Sequence, residues 1–120
     1  MRFLCVAKSD EKTERGDPPS AEKIATMGAF VEEQMKEGVL LATEGLHPSS
    51  KGARVRYSHG KLIVTDGPFA ETKEVLASYA LIQVKSKEEA IERVARFLKL
   101  SGGEGEADIY QVYEPSDFGS

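Results

Sequence analysis

The sequence contains few of the residues that mark extracellular or membrane-bound proteins. Of its 120 residues one is cysteine and none is tryptophan. Because Cys5 has no second cysteine to pair with, an internal disulfide is excluded, and a reducing, cytoplasmic location is the simplest interpretation. The apolar stretch around Cys5 is too short for the core of a signal peptide, and no run approaches the length of a membrane span. We therefore expect no association with a membrane.

The net charge and the motifs that are missing argue against several classes of function. The formal net charge of −4 argues against generic nucleic-acid binding, which requires a basic surface. A local basic patch has only Arg54, Arg56 and Lys61 as candidates. One cysteine and two distant histidines make a poor metal-ligand set, and neither a P-loop nor a dinucleotide-binding glycine motif is present. The sequence therefore predicts neither a metal site nor a cofactor.

Length and periodicity predict a single domain over residues 1–120, with a polar tail at 114–120. The expected strands span residues 2–8, 39–43, 53–58, 61–65, 75–84 and 108–113. A polar loop is expected at 9–19. Ser20 caps a first helix that ends at Gly38, and Ser86 opens a second one through a capping box with Glu89. The predicted core stripes of the two helices are Ile24, Met27, Val31 and Met35, and Ile91, Val94, Ala95 and Leu98.

The clearest local signal is a hairpin with its turn at His59 and Gly60. The two-residue turn sets a register in which Tyr57 faces Leu62 and Val55 faces Val64. Arg54 and Arg56 then share the other face of the hairpin with Ile63 and Thr65. His59 is interpreted as a turn residue without chemistry.

The order of elements indicates an α+β fold, the ferredoxin-like split βαβ arrangement with an inserted β-hairpin. Two helices cover only one face of such a sheet, and the strands are apolar on both faces. Stacking two sheets in a homodimer would bury the other face. The alternative is that the hairpin folds over that face within one chain.

The segment from Asp66 to Glu74, Asp-Gly-Pro-Phe-Ala-Glu-Thr-Lys-Glu, follows a strand and combines a sharp turn with four charged groups. With Val64 and Thr65 before it, it resembles the DGPF signature of the YCII-related family without a gap. Residues 38–48, the basic strand 53–56, the strand 79–82 and the tail 114–119 are similar to other parts of that family. The resemblance covers nearly the whole chain.

This resemblance implies a bacterial protein whose ferredoxin-like subunits dimerise through their sheets, as in dimeric α/β barrels. Some members occur beside or fused to extracytoplasmic-function sigma factors, and some relatives have a His–Asp pair proposed as a catalytic dyad. The sequence departs from the family at two positions. Ala77 and Ser78 replace a frequent Gly-Gly pair, and a basic residue near Tyr110 is missing.

Asp66 and His47 are the candidate catalytic residues. The structural interpretation of Asp66 is that its carboxylate accepts N–H groups of the following turn, in which glycine permits positive φ and proline fixes φ. The functional interpretation makes Asp66 a general base, or the residue that orients a neighbouring histidine. His47 lies in a loop after a strand, as Asp66 does, so both are expected at one edge; a solvent-exposed loop histidine is the alternative.

Charged and aromatic residues of the same loops are the candidate substrate-binding residues: Arg54, Arg56, Lys73, Glu44 and Phe69. A guanidinium matches a carboxylate in a bidentate manner, and Lys73 suits the same anion. The alternative for the charged residues is solvated surface charge. Phe69 is expected to anchor its loop in the core or in a partner subunit.

Two functions remain open from the sequence. The first is a cofactor-independent enzyme, of the isomerase, cyclase or lyase type, acting on a small anionic or carbonyl metabolite. Asp66 and His47 would move protons while Arg56 and Lys73 hold the anion. The second is a non-catalytic module that binds a ligand or docks on a regulator such as a sigma factor.

Overall fold

The computed structural model describes residues 1–71 and 74–119 and shows a mixed α+β fold. The strands are β1 (Arg2–Lys8), β2 (Leu40–Gly45), β3 (Ala53–Ser58), β4 (Lys61–Asp66), β5 (Leu76–Gln83) and β6 (Ala107–Gln111). The helices are α1 (Glu11–Arg15), α2 (Ala21–Lys36) and α3 (Lys87–Leu100). Short 3-10 turns cover Ser49–Lys51 and Pro115–Phe118. Lys73 lies outside the described residues.

The main sheet has four strands in the order β2-β5-β1-β6, and every neighbouring pair is antiparallel. This is the ferredoxin-like arrangement, with the β3–β4 hairpin inserted between β2 and β5 as a separate two-stranded ribbon. The predicted fold is confirmed. Because the hairpin does not pair with the main sheet, it adds no edge strand to it.

Side-chain caps begin both long helices as the sequence predicts. The Ser20 hydroxyl accepts the Lys23 N–H at 3.1 Å, and the Ser86 hydroxyl accepts the Glu89 N–H at 3.1 Å. The Glu89 carboxylate also reaches back to accept the Lys85 N–H at 3.1 Å. These caps satisfy first-turn donors that have no partner within the helix.

The core lies between the helices and one face of the main sheet. Its buried residues are Phe3, Cys5, Val39, Leu40, Ile82, Val84 and Ala90. The predicted helix stripes are wrong at three positions, because Ile24, Met35 and Ile91 are 58%, 47% and 50% exposed. The inward faces instead centre on Gln34 and Ala90, which are 3% and 0% exposed. A stripe drawn through apolar residues alone could not include Gln34.

Two segments predicted to be irregular contain short helical turns. Within residues 9–19, α1 begins after Asp10, whose carboxylate accepts the Thr13 N–H at 2.8 Å, and ends at Gly16 with φ 85°. The polar tail forms a 3-10 turn at Pro115–Phe118. Neither turn contains a buried residue, so no periodic pattern of apolar residues marks either of them in the sequence.

The hairpin has the predicted register. Its turn residues His59 and Gly60 both have positive φ, 52° and 77°, as a type I′ turn requires. Val55 pairs with Val64, and Tyr57 pairs with Leu62. These four apolar side chains share one face of the ribbon, and their exposed fractions run from 58% to 73%. Within the single chain the hairpin does not fold over the main sheet to bury this face.

Candidate functional site

A loop junction follows β4, and its central residue is Ser49, which is only 6% exposed. The Ser49 hydroxyl donates to the Glu14 carboxylate at 2.5 Å and accepts the Phe69 N–H at 3.0 Å. The Ser49 N–H donates to the other Glu14 oxygen at 2.7 Å. Glu14 on α1, Ser49 after β2 and Phe69 after β4 are thereby held together, and every polar group in this chain of bonds has a partner.

Gly67 is required by close packing. A Cβ atom at this position would lie 1.7 Å from the carbonyl oxygen of Ser49. The expectation of positive φ at Gly67 is wrong, since Gly67 is not among the residues with positive φ. Its N–H donates to the Gly52 carbonyl at 3.0 Å, and the Gly67–Pro68 peptide is cis. The backbone of the turn therefore packs closely against the loop that contains Ser49.

Phe69 is half-buried and lies under Arg54, whose guanidinium carbon is 4.6 Å from the ring centroid. This is a cation–π contact. Phe69 does not belong to the buried core cluster, so of its two expected anchoring places the core is wrong, and the partner subunit stays a prediction. The contact fixes the Arg54 head group beside the junction, and Arg54 makes no hydrogen bond or ion pair with the rest of the described chain.

Asp66 is the last residue of β4 and is exposed. The turn that follows satisfies its donors elsewhere: the Gly67 N–H binds the Gly52 carbonyl, and the Phe69 N–H binds the Ser49 hydroxyl. Pro68 has no N–H to donate. Over residues 1–71 and 74–119 the Asp66 carboxylate has no hydrogen-bond partner, so it does not accept the N–H groups of Gly67 and Phe69.

The remaining candidates are exposed, and no hydrogen bond or ion pair joins their side chains within the described residues. His47 is exposed and precedes Ser49 by two residues in the same loop. Glu44 pairs with Tyr79 and is exposed. Arg56 is exposed on β3, opposite Ile63.

The hairpin register separates the charges of the ribbon. Asp66 pairs with Ala53, so strand alternation puts it on the face of Val55 and Val64. Arg54 and Arg56 belong to the opposite face. Within one protomer, Asp66 and Arg54 therefore lie near the same end of the β3–β4 ribbon, one on each of its two faces.

Glu14 and Ser49 were missed by the sequence argument. They are 35 residues apart, and neither belongs to a recognisable motif. A serine in a polar loop is normally solvated, so only its burial in the folded chain shows its role. The one available signal was the unexplained Asp-Gly-Pro-Phe turn, whose donors needed acceptors from another segment.

Cys5 faces the helices from β1 and is 7% exposed. Burial raises the pKa of its thiol to about 11. Cys5 is thus a buried structural cysteine, since a reactive thiol needs an exposed and electropositive setting.

The described residues include no group of three or more His, Cys, Asp or Glu side chains placed to hold a metal ion. Among the helices of the same residues, none is long and apolar enough to cross a membrane.

The fold and junction define a small ferredoxin-like α+β protein in which an Asp-Gly-Pro-Phe turn packs against a buried serine. The sequence profile of the YCII-related domain matches residues 1–114, and the chain belongs to this family. It is 31% identical over 96 residues to an uncharacterised protein of Rhizobium meliloti (strain 1021), covering 78% of this chain and 77% of the relative.

A solved structure has the same fold. It is the 5-chloro-2-hydroxyhydroquinone dehydrochlorinase TftG of Burkholderia phenoliruptrix AC1100, in complex with 2,5-dihydroxybenzoquinone. The TM-score is 0.53 at 14% identity, and the match covers 98% of each chain. At this identity the likeness concerns the fold.

Proposed function

We propose that the protein is a cofactor-independent enzyme that performs acid–base chemistry on a small anionic or carbonyl-bearing metabolite. Asp66 is the base, and His47 is the acid partner. The observation that carries this proposal is the Asp66 carboxylate, which is exposed and has no hydrogen-bond partner among residues 1–71 and 74–119. A carboxylate that the fold does not need is available to take a proton.

The junction gives the two catalytic groups their positions. Ser49 fixes the loop of His47 two residues away, and its hydroxyl also holds the Phe69 backbone, three residues after Asp66. The hydrogen bond from the Ser49 N–H to the Glu14 carboxylate also restricts the movement of the two loops. Such support from packed neighbours is what positioned catalytic groups need.

Arg54, stacked on Phe69, binds the anion of the substrate in this proposal. Its guanidinium is held in place by the ring and is not paired with a carboxylate of the described chain. Arg56 on the same ribbon face and Lys73 extend the positive charge, and Glu44 contacts a substrate hydroxyl. Because Asp66 and Arg54 flank the ribbon end from two sides, the substrate lies across that end.

The enzyme works as a cytoplasmic homodimer in this proposal. The radius of gyration is 16.4 Å, whereas a compact chain of this length has about 14 Å. The difference fits a hairpin that projects and exposes Val55, Tyr57, Leu62 and Val64. Tyr110, on the sheet face away from the helices, is also 56% exposed. A second copy covers both apolar surfaces.

The exposed hairpin also favours the alternative function, a non-catalytic module that docks on another protein such as an extracytoplasmic-function sigma factor. Sedimentation equilibrium of the purified chain separates the two. A stable dimer supports the enzyme assembly, whereas a monomer shows that the apolar ribbon is reserved for a different partner.

The test of the active site uses 2,5-dihydroxybenzoquinone, an acidic carbonyl compound that TftG binds. Calorimetry with the wild type is expected to show binding that Asp66→Asn and Arg54→Lys each weaken about tenfold or more. Asp17→Asn, an exposed aspartate paired with Arg15, is the matched control. Unchanged binding in both site variants would refute the assignment, and a strongly lowered melting temperature of Asp66→Asn would restore a structural role.

A further inference from the structure

A cavity of about 80 Å³ lies between the main sheet and helices α2 and α3. Small side chains leave this space on the sheet side, among them Ala7, Ala80 and Ala107. The rings of Phe30 and Phe97 form part of the wall on the helix side. An apolar cavity between a sheet and its covering helices is unusual, because side chains normally fill such spaces.

Gln34 of α2 lines this cavity and is 3% exposed. Its carbonyl oxygen Oε1 accepts a hydrogen bond from the Arg93 guanidinium at 2.7 Å, which settles the orientation of the amide. The amide nitrogen Nε2 is buried and has no acceptor anywhere in the described chain. Buried donors are almost always paired, so an unpaired one at a cavity wall points to an acceptor from outside the chain.

The charges around the cavity are balanced. Arg93 pairs with Glu37 at 2.6 Å and with Glu89 at 3.9 Å, so its charge is compensated at the helix surface. Thr43, which also lines the cavity, donates its hydroxyl to the Tyr79 carbonyl at 2.8 Å. Among the described residues that line the cavity, Nε2 of Gln34 is therefore the buried side-chain donor without a partner, and the charge of Arg93 is compensated.

We propose that this cavity binds a small neutral molecule that has an apolar body and one acceptor oxygen, such as a ketone, a quinone or an ether. The oxygen accepts from Nε2 of Gln34, and the apolar body fills the space above the small strand residues. Asp66, His47 and Arg54 do not line the cavity. The site is thus separate from the proposed acid–base centre, and either proposal can fail without the other.

A matched pair of probes tests the proposal. Cyclopentanone has a carbonyl acceptor, and methylenecyclopentane has the same shape without it. In ¹H–¹⁵N correlation spectra, cyclopentanone is expected to shift the side-chain amide signals of Gln34, and it should bind about tenfold more tightly than methylenecyclopentane. The Gln34 signals are assigned by their absence in Gln34→Leu.

Two variants and a control make the result decisive. Gln34→Leu and Gln34→Glu both remove the donor, and each should abolish the preference for cyclopentanone. Glu32→Gln, on the exposed side of the same helix, should leave it unchanged. Equal binding of the two probes, no binding of either, or a Gln34 amide that contacts only a buried water would overturn the proposal. If Gln34→Leu unfolds, Gln34→Glu alone gives the answer.

Discussion

The carbonyl oxygen of Ser49 occupies the place where a side chain at residue 67 would begin, 1.7 Å from an ideal Cβ atom at Gly67. The contact joins two loops that the sequence separates by a whole hairpin. It makes glycine at this position a requirement of packing, and it ties the Asp-Gly-Pro-Phe turn to the buried serine.

Gly67→Ala is expected to destabilise the protein by about 3 kcal/mol, at the upper end of the cost of overpacking, because the neighbouring atoms are backbone and cannot rotate away. Urea unfolding measures this loss. Gly28→Ala is the matched control, since nothing lies within 4 Å of the added Cβ in the middle of α2. The control should gain about 0.5–1 kcal/mol. A loss below about 1 kcal/mol for Gly67→Ala would contradict the close contact.

Ser49→Ala should cost about 1–3 kcal/mol, because the Glu14 carboxylate and the Phe69 N–H both lose a partner in a partly buried place. The free energy of unfolding is compared with that of Ser50→Ala. Ser50 is exposed next to Ser49, so its change should stay within about 0.5 kcal/mol of the wild type. Equal effects of the two variants would show that the Ser49 bonds contribute nothing.

Native Cys5 should react with Ellman's reagent far more slowly than free glutathione does. The thiol is buried, and its pKa of about 11 leaves little thiolate at neutral pH. In denaturing urea the same protein should react within the mixing time and release one equivalent of the coloured thiolate of Ellman's reagent. Rapid reaction of the native protein would place Cys5 in an open site.

The cap of α1 should make a small, pH-dependent contribution to stability. The hydrogen bond from the Thr13 N–H lowers the pKa of Asp10 below its ordinary value of 3.8. A lowered folded-state pKa means that the stabilisation is complete above the ordinary value and is lost as the pH falls through the folded-state value.

Asp10→Ala should therefore lose about 1 kcal/mol at pH 7, and its difference from the wild type should shrink in more acidic solution. Asp10→Asn keeps a capping oxygen and serves as the control. The free energies of unfolding of the wild type and both variants are measured in urea at several values between pH 7 and pH 3. A difference that does not change with pH would show that the charge of Asp10 has no part in the cap.

The sequence by itself determined the strands, the two long helices and their order. Periodicity placed the strands and both long helices, because an amphipathic element repeats its apolar residues at its own period. Ser20 and Ser86 marked the helix starts through local hydrogen bonds, and the His59–Gly60 turn set the hairpin register. All of these signals act over a few neighbouring residues, and they were enough for the ferredoxin-like topology.

Only the tertiary structure decided the interior and the junction. Gln34 is buried and bound to Arg93 of the neighbouring helix, whereas Ile24 is exposed, although the apolar pattern of α2 predicts the opposite. Ser49 meets Glu14 and Phe69 across segments that no local rule connects. The N–H groups of Gly67 and Phe69 found acceptors in another loop, so they do not bind the Asp66 carboxylate. Hydrogen bonds between distant segments depend on where the folded chain brings their partners, and this information is not contained in any short stretch of sequence.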